Sequence, residues 1–161
     1  MADTPTREQA IATFAEMITG IPVAMLTTTG LGRLRSRPMV TQRAPFDGCL
    51  WFVTASAAGK TGEIRDRQAV HVTFVAPGEN RYVWASGTAS IVDDRAQLKA
   101  LWHGGYLQWL PGGPEDASVT LIKVVVEEAE YWDEAAGRMV RLDSFVEPGA
   151  TFREIVVGVG I

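Results

Sequence analysis

The chain has 161 residues and a net charge of −4 at pH 7; 47% of its residues are hydrophobic and 21% are charged. This length is typical of one domain, and this composition is that of a folded protein, which excludes extended disorder. The negative charge argues against broad electrostatic binding to nucleic acid or to an anionic membrane. Cys49 is the single cysteine, so no disulfide can form within the chain. A reducing, cytoplasmic location is therefore expected.

The sequence shows neither a secretion signal nor a membrane span. Residues 1–4 lack a basic region followed by an apolar run. The longest apolar stretch, residues 119–126, is interrupted by Lys123, whereas a membrane helix needs roughly 20 apolar residues. We therefore expect a protein without a membrane anchor.

The first predicted element is an amphipathic helix over residues 4–19. Phe14 and Ile18 share its apolar face, and Thr4 or Thr6 can cap it. Segments rich in β-formers follow, and we predict strands at residues 23–29, 33–39, 50–54, 70–75, 82–92, 119–132 and 139–145. Two short helices are predicted between strands, over residues 60–67 and after residues 93–94, and residues 109–114 are expected to be irregular.

Strands in hairpin succession with few helices favour an antiparallel barrel with helices packed outside it. The expected fold class is therefore mainly β (α+β). We predict one domain over residues 1–161, with the helix at about 4–19 and the barrel at about 22–145. A C-terminal tail at 146–161 packs either on the barrel or on a partner subunit, and the sequence leaves this choice open.

The strand predicted at residues 33–39 carries three arginines on one face. Arg33, Arg35 and Arg37 point the same way because strand side chains alternate with period two. Like charges this close repel one another unless water screens them or an anion lies among them, and a guanidinium suits a phosphate. The segment is therefore either a solvated edge strand or one wall of a phosphate pocket.

The fragment Gly59-Lys60-Thr61 follows a strand and precedes a helix, as in a triphosphate-binding loop. The full pattern requires a glycine where Thr54 stands, and the antiparallel succession lacks the parallel sheet of such loops. We expect no triphosphate site. A lysine near a helix start remains a plausible anion contact.

Other polar residues suggest no catalytic or metal site. Neither His71 nor His103 has a second histidine or a cysteine at metal-ligand spacing, so no metal ligand is predicted. No nucleophile or acid–base pair is recognisable, and the catalytic residues stay unidentified. What remains is either a site for a phosphorylated planar ligand or an ordinary charged surface, formed by Arg37, Thr54, Lys60, Trp51, Phe52 and Trp109.

At these residues the chain resembles the split-barrel flavin-binding proteins related to pyridoxamine 5′-phosphate oxidase, and among them the bacterial general stress proteins. The resemblance covers residues 14–133. The segments that carry it are Arg37-Pro38-Met39, Leu50-Trp51-Phe52-Val53-Thr54 with Lys60, Ser86-Gly87-Thr88-Ala89, Trp109-Leu110-Pro111-Gly112-Gly113 and Glu130-Tyr131-Trp132-Asp133. It implies a six-stranded antiparallel split β-barrel with flanking helices, forming a homodimer that binds FMN between its subunits.

The resemblance also implies roles for particular residues. Arg37 and Lys60 would hold the FMN phosphate, and Trp109 would close the cleft from the other subunit. The backbone that would line the flavin ring belongs to Pro38, Met39, Val40, Phe52, Val53 and Thr54.

Two departures from the vitamin B6 oxidases matter for function. Those enzymes have a basic residue in place of Gly59 and a lysine in place of Gln42, and they carry a C-terminal substrate segment that is not found after Asp133. The leading expectation is a flavin-dependent oxidoreductase of the general stress type, with FMN or FAD and an unidentified small-molecule substrate. The alternatives are a non-catalytic flavin-sequestering stress protein, or a barrel that binds a deazaflavin or haem.

Overall fold

The computed structural model describes residues 5–146 of the chain. The predicted C-terminal tail, apart from its first residue, lies outside the described residues. Three helices are present: Arg7–Ile18 (α1), Gly59–Asp66 (α2) and Arg95–Leu101 (α3). The strands are Val23–Gly30 (β1), Arg33–Val40 (β2), Cys49–Ala55 (β3), Ala69–Ala76 (β4), Arg81–Val92 (β5), Val119–Asp133 (β6) and Arg138–Leu142 (β7).

All strand pairs are antiparallel, and the hydrogen-bonded order is β2-β1-β4-β5-β6-β3. β7 pairs with β6 outside this path. The predicted fold class, a mainly antiparallel β-barrel with flanking helices, is confirmed, with β7 added to the six strands of the path. β2 and β3 stand at the two ends of the path and share no ladder, so the barrel is split between them.

The barrel encloses the main hydrophobic core. Leu26, Val72, Phe74 and Ile122 point inward from three strands and are at most 1% exposed. Phe14 of α1 packs against Phe74 and covers one end of this core. Burying large apolar side chains supplies most of the driving force for such a fold.

A smaller hydrophobic cluster lies on the other side of β3. There, Val53 and Leu121 pack against Leu98 and Leu101 of α3 and against Tyr106. This second cluster fixes the segment that follows α3 beside the gap between β2 and β3.

Some predicted boundaries differ from the observed ones. α1 begins at Arg7 because Thr6 accepts a hydrogen bond from the Gln9 backbone N–H while the Gln9 side chain accepts one from the Thr6 backbone N–H. This reciprocal capping satisfies two N–H groups at the helix start. Strand β7 ends at Leu142, three residues earlier than predicted.

Within residues 5–146, no helix is long and apolar enough to cross a membrane.

Candidate functional site

A cavity of about 320 Å³ lies in the gap between β2 and β3. Each of the two end strands contributes three residues to its wall, β1 contributes Val23, α2 contributes Lys60, and the segment after α3 contributes three more residues. The lining residues are Val23, Pro38, Met39, Val40, Val53, Thr54, Ala55, Lys60, Tyr106, Trp109 and Leu110. The walls are therefore mostly apolar, with one charged group.

Lys60 is the only charged residue that lines this cavity among residues 5–146. Its ammonium group is partly buried and makes no hydrogen bond or ion pair within the described part of the chain. Burial lowers the pKa of Lys60, the charge of Arg37 lowers it further, and Glu63 opposes this effect. An unpaired cation in a partly dry pocket is stabilised by an incoming anion.

Arg37 lies close enough to Lys60 to influence its pKa, but its guanidinium is engaged elsewhere. Nη2 donates to Glu63 Oε2 at 2.9 Å, and Nη1 donates to Thr28 Oγ1 at 2.5 Å and to the Leu26 carbonyl at 3.4 Å. The Arg37 side chain is 21% exposed and does not line the cavity. Arg37 thus stands beside the cavity, bound to an internal carboxylate.

Glu63 joins helix α2 to the β1–β2 hairpin. Its carboxylate accepts hydrogen bonds from Thr28 and Arg37 through Oε2, and from Arg35 through Oε1 at 3.3 Å. The Glu63 side chain is 12% exposed. The Thr28 hydroxyl, followed by Arg37, keeps the pKa of Glu63 below its usual range, so the carboxylate stays ionised.

Neither interpretation of the arginine strand predicted these contacts with an internal carboxylate. β2 is an edge strand, but Arg35 and Arg37 lie on the face of Thr28 and Leu26, which are buried, and not on a purely solvated face. An anion does lie among them, and it is the protein's own Glu63.

Tyr106 forms part of the cavity wall and is 2% exposed. Its hydroxyl has no hydrogen-bond partner among the described residues. Burial raises the pKa of Tyr106 to about 12, so the phenol stays neutral at physiological pH.

The structure brings together seven of the nine residues predicted for the cofactor: Pro38, Met39, Val40, Val53, Thr54, Lys60 and Trp109. Phe52 points into the barrel core instead, where it is 1% exposed and borders a separate cavity of about 610 Å³. Arg37 does not line the cavity either, because its guanidinium is bound to Glu63 and Thr28. Trp109 lines the cavity of its own chain. The closure of a partner subunit's cleft by Trp109, which the resemblance implies, stays a prediction.

Neither histidine lines the cavity. The ring of His71 hydrogen-bonds to Ser86 Oγ, and that of His103 to the Thr41 carbonyl and the Gly105 backbone N–H. No group of metal-binding side chains occurs in the part of the chain that the structure describes. The fragment around Lys60 follows a strand that pairs antiparallel with β6, which differs from the parallel sheet of a triphosphate loop.

Three residues of the site and its surroundings were not predicted from the sequence: Glu63, Thr28 and Tyr106. One feature of the sequence could have indicated Glu63: it lies three residues after Lys60 and so shares a helix face with it. Thr28 could be found only from the β1–β2 register, and Tyr106 only from the packing of the segment after α3.

Comparison with known proteins identifies relatives of this chain. The family described as Pyridoxamine 5′-phosphate oxidase like matches residues 9–151. Protein bli-3 of Neurospora crassa is 29% identical over 135 residues, which cover 77% of this chain. The chain spans 65% of the length of that relative.

Solved structures share the fold. General Stress Protein 26 from Bacillus anthracis has a TM-score of 0.68 and 26% identity, covering 84% of this chain and 98% of its own. The general stress FMN/FAD binding protein of Xanthomonas citri has a TM-score of 0.67 and 21% identity, covering 78% and 89%. Because the family match extends over most of the sequence, the chain belongs to the pyridoxamine 5′-phosphate oxidase-like family of split-barrel proteins.

Proposed function

We propose that the cavity between β2 and β3 binds FMN and that the protein is a homodimeric, flavin-dependent oxidoreductase of the general stress type acting on a small molecule. The observation that carries this proposal is the unpaired Lys60 ammonium at a cavity with otherwise uncharged walls. That combination suits a ligand with an anionic end and a flat apolar body. A relative described as an FMN/FAD binding protein supports it.

The phosphate of FMN would lie at Lys60. The Lys60 ammonium would hold it with charge-assisted hydrogen bonds, and the neighbouring Arg37 would add positive potential. The cavity contains no second cationic group for a diphosphate among the described residues, which favours FMN over FAD.

The flavin ring would lie along the two end strands. The backbone of Pro38 to Val40 and of Val53 to Ala55 would flank it, and Trp109 would cover one face. When bound, FMN would supply the redox chemistry, while these residues orient it and exclude water.

The homodimer is proposed because the cavity wall is incompletely covered in one chain. Trp109 is 68% exposed and Val23 is 46% exposed, although both line the cavity. Met25 is 41% exposed and pairs with Pro38, which extends this apolar surface along the sheet. A second copy that covers the surface would complete the site. Sedimentation velocity should show a dimer, and Met25→Glu should shift it toward monomer; a monomeric native protein would contradict this part.

The visible spectrum of the freshly purified protein tests the cofactor. We expect flavin absorption bands, and release of FMN after denaturation, identified by chromatography. In parallel, the apoprotein should quench the fluorescence of added FMN saturably. A haem spectrum, a deazaflavin spectrum or failure to bind any flavin would each contradict the proposal.

A second candidate function is flavin binding without catalysis. It is favoured by the cavity wall, which among residues 5–146 holds no carboxylate and no histidine that could transfer protons. Flavin hydride transfer does not require such a group, so an experiment is needed to distinguish the enzyme from the binding protein. Anaerobic reduction of the flavin by NADH or NADPH, with reoxidation by an acceptor, would support the enzyme, and failure with every reductant would support the binding protein.

A further inference from the structure

Glu63 is a carboxylate placed among the cations of the proposed phosphate site. Lys60, Arg35 and Arg37 carry three positive charges and Glu63 carries one negative charge, so the cluster has a net charge of +2. Lys60 faces the cavity without a partner, whereas both arginines are bound to Glu63.

Arg37 keeps part of its donor capacity. Its Nη1 group and one Nη2–H are used by Leu26, Thr28 and Glu63. The guanidinium edge that carries the Nε–H has no hydrogen bond from Nε among the described residues. A guanidinium edge of this kind binds phosphate oxygens well, but here the adjacent carboxylate would repel the phosphate.

The position of the Glu63 carboxylate is set by close packing as well as by charge. A Cβ added to Gly30 of β1 would lie 2.6 Å from Glu63 Oε1 and 2.8 Å from its Cδ. The absence of a side chain at Gly30 therefore lets the carboxylate lie against β1, within reach of Thr28 and Arg37.

We propose that Glu63 is a built-in competitor of the cofactor phosphate for Arg37, and that it thereby limits the selectivity of the site for phosphorylated over unphosphorylated flavin. This inference rests on the proposed function, because it takes the phosphate of FMN as the anion. Removal of the competing charge should strengthen FMN binding and leave riboflavin binding unchanged.

The test compares FMN and riboflavin titrations of the apoprotein, followed by flavin fluorescence. In E63Q, the dissociation constant for FMN should fall about tenfold, because a unit charge a few ångströms from a phosphate changes its binding by this order even with water-like screening. The constant for riboflavin should stay the same. The matched control is E79Q, which removes the carboxylate partner of Arg81 away from the cavity and should change neither constant.

A second variant, Gly30→Ala, displaces the carboxylate without removing its charge. It should lower the FMN dissociation constant by a smaller factor and does not depend on how E63Q folds. An unchanged FMN constant in these variants would overturn the proposal. A higher constant would also overturn it and would show that Glu63 instead positions Arg37. Failure of the wild-type protein to bind either flavin would refute the proposed function itself, so the two failures are distinguishable.

Discussion

The replacement Lys60→Met tests the phosphate site most directly. Methionine keeps the approximate length of the side chain but removes the only charge that lines the cavity within the described chain. A charge-assisted hydrogen bond contributes about 1.5–3 kcal/mol, so FMN should bind about tenfold to 150-fold more weakly. Riboflavin lacks the phosphate, and its affinity should be unaffected.

The lowered pKa of Lys60 adds a prediction about stability. Because its pKa in the folded protein lies below the ordinary value, the unfolded chain binds more protons in the interval between the two values, and stability rises with pH through that interval. Below it, the buried charge costs stability. The Lys60→Met apoprotein should therefore be at least as stable as the native apoprotein at neutral pH, as measured by urea unfolding.

Fluorescence titration with both flavins provides the main assay, and Lys99→Met is the control. Lys99 is 52% exposed, pairs with Glu115 and does not line the cavity. As the pH rises through the pKa of Lys60, FMN affinity should fall in the native protein but stay level in Lys60→Met. Native-like FMN affinity in Lys60→Met would refute the reasoning.

Three further predictions concern the thiol, the core and the sheet. Cys49 is buried, and burial raises its pKa to about 11, so a thiol reagent at neutral pH should label it only after the protein unfolds. Because the pKa of Cys49 in the folded protein lies above its pKa in the unfolded chain, the free energy of unfolding should fall as the pH rises from the ordinary thiol pKa toward 11. Phe14→Ala should lower the free energy of unfolding by about 3–5 kcal/mol in urea titrations, whereas exposed Glu16→Ala should change it by less than about 0.5 kcal/mol. Gly87→Ala should cost about 1–3 kcal/mol, because its Cβ would lie 2.1 Å from the Val125 carbonyl oxygen at the β5–β6 bulge; an unchanged melting temperature would contradict this.

Helices and strands followed from local chemistry. The apolar stripe around Phe14 and the β-formers between turn residues predicted nearly every element, since periodicity and capping act over a few residues. The observed start of α1 differs from the predicted one because Thr6 caps the helix. The resemblance supplied the family and the split barrel, which the family match and the fold confirm.

The sequence by itself determined the composition of the proposed site: a strand with three arginines, a lysine at a helix start, and apolar and aromatic neighbours. These are properties of residue types and of spacing within single elements.

Only the tertiary structure decided how the charges are paired. Arg37 and Glu63 are 26 residues apart in the chain, and they meet because α2 packs against the β1–β2 hairpin. Whether a cation faces a cavity or an internal carboxylate depends on such long-range packing, which no local pattern encodes. Lys60 is left without a partner for the same reason, since the nearest carboxylate binds the arginines.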